Sequence, residues 1–284
     1  MIQYLSCADT SMDAIYEAFC SGYSDYILPV HIERDAFESI FFGREGNSPD
    51  LSFVALDDNR PVGLVLGGIR DFDGMKTLRC GALCTAPTHR GVGVGGRLSD
   101  MHRQLAEDNG CRRMMLEVLT TNHNAFRLYE KHGYRAGHTL KYYSQKDIPL
   151  PDGPSLHPVR ESSFEALARY RSGLPDCHVN WQNDLPVFAG LENTVSVFEA
   201  YAGDTVIGIA AVTAQGRVIF LHVCPEYRNR GLARLLTRHA ARQVNAPKLT
   251  VSFPGNALLE GFLRKTGFEK DPVEQYEMFL PCDL

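Results

Sequence analysis

Pro87, Thr88, His89, Arg90, Gly91, Val92, Gly93, Val94 and Gly95 form the stretch whose residue types and spacing point most directly to chemistry. Glycine carries no Cβ, so alternating glycines let backbone N–H groups converge on an anion without side chains in the way. A helix that starts at such a turn adds a partial positive charge at its N-terminus. The stretch therefore predicts a phosphate or pyrophosphate cradle built from the amides of residues 90–95.

Patterning shows the elements that must hold this loop. Residues 78–85 are an apolar run that reads as a strand entering it, and residues 98–107 read as the helix leaving it. Upstream, residues 1–7 alternate as a strand, Ser11 caps a helical pattern through Ile15, Phe19 and Tyr23, and residues 31–42 form a second amphipathic segment ended by Gly43. A polar loop at 44–50 precedes strands at 51–56, 62–69 and 77–85, with turns at 57–61 and 71–74. Cys80 and Cys84, four apart in a strand, are expected on one face. Asn109-Gly110 then stops the helix, and a strand at 113–119, a helix at 122–132 ended by Gly133 and strand material at 134–143 follow.

The second half repeats this order. A helix at 162–171 precedes strands at 194–202, 206–213 and 218–224. A loop at 225–233, a helix to 244, a strand at 248–253, a helix at 256–266 and a strand at 274–280 complete it. Arg90 matches Arg228 at an offset of 138, and Gly133 matches Gly267 at an offset of 134. Residues 146–155 hold three prolines and no periodicity, which reads as a linker between domains at 1–145 and 156–284.

Three ligands compete for the glycine turn. A Walker-type nucleotide loop needs Gly-Lys-Ser/Thr, and none follows. A dinucleotide fingerprint is the closer rival: Gly91, Gly93 and Gly96 satisfy G-x-G-x-x-G, and Glu117 lies 21 residues beyond Gly96, where a ribose-binding acid is wanted. Against it, three strands in series precede the loop, residues 87–90 separate strand from glycines, and the second copy lacks the triplet. The copies share Pro87, His89, Arg90, Gly93 and Gly95 in one and Pro225, Tyr227, Arg228, Gly231 and Ala233 in the other.

That shared spacing resembles the acetyl-CoA loop of the GNAT acyltransferase superfamily. Asn122, Ala125, Leu128, Tyr129, Glu130, Lys131, His132, Gly133 and Tyr134 look like the family's next helix, ended by glycine and an aromatic residue. The resemblance covers residues 1–145 closely and 155–284 more loosely. It implies an α/β (α+β) fold of two tandem GNAT-like domains, each a mixed, mostly antiparallel sheet flanked by helices. It implies acetyl-CoA as cosubstrate, with no metal. Arg90, Gly91, Val92, Gly93, Val94 and Gly95 would hold the pyrophosphate. The pantetheine arm would lie in a splayed strand pair at Leu83, Cys84 and Thr85 and at 116–118, with Asn122 nearby.

The resemblance further implies direct transfer, in a ternary complex, to a primary amine of a small molecule or peptide. Tyr129 stands where many members carry the tyrosine that protonates the departing thiolate. Glu117, on the strand lining the cleft, is the candidate base. Tyr23, Asp25, Tyr26 and His31 fall in the acceptor region. The second copy has Leu263 at the Tyr129 position, and leucine has no proton to give. Chemistry is thus expected in residues 1–145; the second copy, which keeps Arg228, Gly231 and Ala233, either binds coenzyme without catalysing or is structural. A non-catalytic coenzyme A-binding regulatory module is the alternative.

Composition narrows the partners. The chain has 284 residues, 44% of them hydrophobic, and a net charge of −5 with no basic block, which argues against nucleic acid or an anionic membrane as partner. No run of eighteen apolar residues is present, and the N-terminus lacks a signal-peptide pattern. Eight cysteines, none in a C-x-x-C pair, read as reduced thiols in a cytoplasmic protein with no metal-ligand spacing. Monomer and homodimer are equally compatible with the sequence.

Overall fold

The computed structural model describes residues 1–146, 156–175 and 177–282. Residues 147–155 of the expected linker lie outside the described residues. The first half of the chain contains β1 (Ile2–Ser6), α1 (Met12–Gly22), α2 (Arg34–Glu38), β2 (Ser48–Asp57), β3 (Arg60–Phe72), β4 (Met75–Thr85), α3 (Val94–Asp108), β5 (Arg113–Leu119), α4 (His123–Lys131) and β6 (Arg135–Lys146). The second contains β7 (Val159–Ser162), α5 (Phe164–Ser172), β8 (Val195–Ala202), β9 (Thr205–Thr213), β10 (Arg217–Val223), α6 (Leu232–Val244), β11 (Lys248–Pro254), α7 (Ala257–Lys265) and β12 (Glu269–Pro281).

Contacts divide these elements into two units: Met1–Thr139 with the chain from Gln275 onward, and Leu140–Glu274. The division differs from contiguous halves at one point. Each unit takes a strand from the other half of the sequence. Gln275 to Pro281 of β12 pair with β5, from Leu119 back to Arg113. Leu140 to Lys146 of β6 pair with β11. Period-2 patterning reports that a segment is a strand, but it carries no information on which sheet receives it.

Unit 1 has the strand order β1-β2-β3-β4-β5-β12, antiparallel except for the β4–β5 pair. One face packs Ile15 and Phe19 of α1 and Phe37 of α2 on Leu64 and Leu66. The other packs Leu98 of α3 and Tyr129 of α4 on Met114 and Leu116. Ser11 starts α1 as expected: its Oγ accepts from the Ala14 N–H at 3.3 Å. The helix after the loop begins at Val94, four residues before the apolar pattern becomes readable, because glycines occupy its first turn. A Cβ on Gly63 would lie 2.8 Å from Val94 Cγ1, so α3 seats hard against β3. β2 reaches back to Ser48, into the expected polar loop. There the Ser52 hydroxyl donates to the Ser48 carbonyl at 2.6 Å and accepts from the Gly67 N–H at 3.0 Å.

Unit 2 has the order β6-β11-β10-β9-β8-β7, with β10 and β11 parallel. α5 covers one face over Ile209 and Ile219, and α6 and α7 cover the other over Val218, Val251 and Phe253. β7 was not anticipated from the sequence; at four residues it is too short to show a period.

Both units bulge at the same place. Leu66 faces Ala82 and Gly67 faces Cys80, leaving Gly81 extra; Val212 faces Val218 and Ala211 faces Phe220, leaving Ile219 extra. The extra residue reverses the alternation. Cys80 consequently lies in the α3 core and Cys84 in the α1 core, which corrects the expectation that they share a face.

Candidate active site

In unit 1, β4 and β5 pair from Thr77 opposite Arg113 to Cys80 opposite Leu116. β4 goes on pairing with β3 to Thr85, and β5 with β12 to Leu119. The two strands therefore part after Cys80 and leave a wedge walled by residues 81–85 and 117–119. The Ala86 N–H donates to the Val62 carbonyl at 2.9 Å, so Ala82 and Cys84 also turn their backbone toward β3. Leu83 and Thr85 turn theirs toward the wedge. The Thr85 carbonyl accepts from Arg90 Nε at 3.1 Å. Cys84 does not face the wedge: its Sγ lies 3.7 Å from the Ala18 carbonyl of α1, and burial pushes the thiol up to about 12.

At the head of the wedge, Gly91 (φ 78°) and Gly93 (φ 96°) adopt left-handed backbone angles. A Cβ on either would meet nothing within 4 Å, so backbone conformation and not crowding demands glycine there. Gly93 precedes α3 with no side chain capping it, and a helix leaves the N–H groups of its first turn without internal partners. Val94 is buried in the core while Val92 is exposed, so each can contribute only its amide to an anion. Gly95 lies in that first turn, beside Thr85 Oγ1.

Arg90 is committed to the protein. Its N–H donates to the Pro87 carbonyl at 3.4 Å, and its guanidinium donates to both Asp25 oxygens at 2.6 and 2.8 Å and to the Gly22 carbonyl at 3.2 Å. The hydrogen bond from Arg90 holds the Asp25 carboxyl below its ordinary value. Arg90 thus pins the loop to the end of α1 and to β4, and the amides left open begin at Gly91. Asp25, expected in the acceptor region, is the anchor of this pin. Its pairing with Arg90 joins segments far apart in sequence, and no local pattern announces it.

Asn122 caps α4 by accepting from the Ala125 N–H at 3.2 Å. Tyr129 is buried, 7% exposed, in the core that holds Cys80, Leu116 and Tyr134, with its ring 5.9 Å from that of Tyr134. Its hydroxyl has no hydrogen-bond partner among the described residues. Burial, reinforced by Cys80, Tyr23, Tyr134 and Tyr26, raises the phenol well above its ordinary value, so it stays a proton carrier at neutral pH. Tyr23 and Tyr26 therefore come near Tyr129, and Tyr26 lies near Asn122. His31 is exposed.

Glu117 is placed differently from a free base. Its Oε2 accepts from Arg79 Nε at 2.9 Å, and Arg79 NH1 lies 3.0 Å from Glu45 Oε2. The Arg79 and Glu117 side chains are 6% and 3% exposed. A carboxylate so paired is aimed at its partner.

Unit 2 repeats the frame. Asn229 (φ 61°) and Gly231 (φ 83°) stand where Gly91 and Gly93 do. Arg228 Nε donates to the Val223 carbonyl at 2.9 Å, as Arg90 does to Thr85. The Phe268 N–H donates to the Leu263 carbonyl at 2.9 Å, as the Tyr134 N–H does to Tyr129 at 3.0 Å, which confirms Leu263 as the counterpart of Tyr129. Among the described residues, Arg228 has no carboxylate like Asp25: its guanidinium lies 3.4 Å from His222 Nε2, and Tyr170 OH lies 2.8 Å from His222 Nδ1.

Known proteins are similar to this chain. Residues 12–134 match the Acetyltransferase (GNAT) family, and residues 185–281 match an Acetyltransferase (GNAT) domain. The N-alpha-acetyltransferase 30 of Schizosaccharomyces pombe is 31% identical over 98 residues, 34% of this chain and 65% of that protein, so the chain spans just under two thirds of that relative. A tandem GNAT protein from the clavulanic acid biosynthesis pathway matches with a TM-score of 0.69 at 14% identity over 100% of both chains. A GCN5-related N-acetyltransferase from Sphaerobacter thermophilus matches with a TM-score of 0.67 at 15% identity over 100% of this chain and 97% of that one. The chain belongs to the GNAT acetyltransferase family and carries two GNAT domains in tandem. Both matched domains are of the acetyltransferase kind. Among the described residues, no helix is long and apolar enough to cross a membrane.

Proposed function

We propose that the chain transfers an acetyl group from acetyl-CoA directly to a primary amine of a small molecule or peptide, and that unit 1 does the chemistry. The reading rests above all on Tyr129, a buried protonated phenol with no hydrogen-bond partner among the described residues, in the core beside the wedge. The coenzyme supplies an activated acyl thioester. The amides of Gly91, Val92, Gly93, Val94 and Gly95 hold its pyrophosphate, and the bare left-handed glycines fit that duty. Leu83 and Thr85 line the arm through their backbone, and Asn122 stands at the mouth beside Tyr26. Tyr129 gives its proton to the departing sulfur. Glu117, tied to Arg79, orders the strand without taking the amine proton itself. Arg90 contributes by holding the loop.

Among the described residues no cysteine forms a disulfide, which supports a reducing, cytoplasmic setting. The test is a thiol-release assay with acetyl-CoA over a panel of amines, peptides included, run on wild type and Tyr129→Phe. Release of coenzyme A with at least one amine, depressed in the variant, is expected. Silence across the panel while acetyl-CoA still binds would favour the non-catalytic module.

A further inference from the structure

The wedge of unit 2 is occupied by the chain itself. β10 and β11 pair at Arg217–Thr250 and Val218–Val251 and then part, as β4 and β5 do. The Thr250 N–H donates to the Gly216 carbonyl at 2.9 Å, so Ser252, two residues on, turns its carbonyl toward the same side, now open. Asn183 fills that position: its Nδ2 donates to the Ser252 carbonyl at 2.9 Å and to the Ser252 Oγ at 3.1 Å. Asn180 Nδ2 reaches the same hydroxyl at 3.4 Å.

The segment carrying these asparagines is fixed from several directions. Asn180, Trp181 and Asn183 are each at most 2% exposed. Arg171 of α5 donates to Asp184 Oδ1 at 3.0 Å, and Asp184 also accepts from the Leu185 N–H. Val187 and Phe188 pack with Ile219 and Phe220. The bulge takes part. Where unit 1 has Gly81, unit 2 has Ile219, and its side chain is buried in that cluster.

We infer that Asn183 is an internal ligand: its carboxamide takes the place that an amide of the coenzyme's arm would need, and unit 2 holds no acyl donor. This rests on the reading of unit 1 as the coenzyme site. The chain then binds one coenzyme A, in unit 1, although it carries two loops of the same backbone.

Trp181 is the chain's single tryptophan and sits two residues from Asn183, so its emission reports whether the segment moves. Calorimetric titration of the full chain with coenzyme A should give one equivalent, with the Trp181 emission maximum unmoved. Gly93→Glu, its fold checked by circular dichroism, should bind none. Two equivalents on wild type overturn the inference and leave the reading of unit 1 standing. Binding that survives in Gly93→Glu with a shift of Trp181 emission places coenzyme in unit 2 and overturns the inference, and where wild type binds a single equivalent it overturns the reading of unit 1 as well. No binding to wild type overturns that reading, and the inference with it.

Discussion

Arg90 and Arg228 open loops that superimpose residue by residue in backbone state: left-handed at Gly91 and Asn229, left-handed at Gly93 and Gly231, with the arginine Nε on the carbonyl of the preceding strand. What surrounds the loops differs. Unit 1 has a bulge glycine, a carboxylate anchoring the arginine and a phenol in the core. Unit 2 has isoleucine, histidine and leucine at the corresponding places. The same loop backbone thus starts a helix in two different surroundings, so loop spacing alone identifies ancestry and not activity.

Four experiments break or sharpen that comparison. The largest effect is expected for the paired substitutions Gly93→Glu and Gly231→Glu. The first puts a bulky anion at a left-handed position in the cradle. Losing two amide contacts to a charged group costs about 3–6 kcal/mol, or roughly a thousandfold in rate, whereas the second should keep at least about half the wild-type rate. The reverse pattern would move the chemistry to unit 2.

Next is Tyr129→Phe, expected to lower kcat about 100-fold while KM for acetyl-CoA changes less than about threefold. Equal losses in both would make Tyr129 a packing residue.

The third contrasts His102 of α3 with its counterpart Ala240 of α6. His102 is buried with Nε2 unpartnered, and burial pushes it down to about 3 from 6.5. Between those values the unfolded chain holds a proton that the folded one does not. Stability is therefore full above about pH 6.5 and falls on acidification, by up to about 1.4 kcal/mol per unit. Denaturant midpoints at pH 5 and 7 should differ in wild type and converge in His102→Ala, which will be less stable at both. An unchanged gap would assign the acid sensitivity elsewhere.

The smallest effect belongs to Asp25→Asn. The Asp25–Arg90 pair is about half exposed, and such pairs contribute up to about 1 kcal/mol, so KM for acetyl-CoA should rise no more than about fivefold with kcat unchanged.

Much of this was legible in the chain. Ser11, Asn122 and Asn256 announced their helices because a cap acts within three residues. The equivalence of the loops and of Tyr129 with Leu263 followed from spacing. What stayed hidden was long-range. Cys84 turned away from the wedge because one extra residue at Gly81 reversed the pleat. Glu117 was placed by Arg79 across the sheet. Asn183 bonds Ser252, far along the chain, through a turn with no periodicity.

The exchange of strands has a consequence for how the protein is made. Unit 1 is one strand short until residue 281 has been synthesised, although the rest of it is finished by residue 139. A nascent chain stopped in the linker therefore presents β5 with an unpaired edge, a template for pairing with another copy. Closing so long a loop adds only logarithmically to the entropic cost but lowers the folding rate, so assembly of unit 1 waits on unit 2.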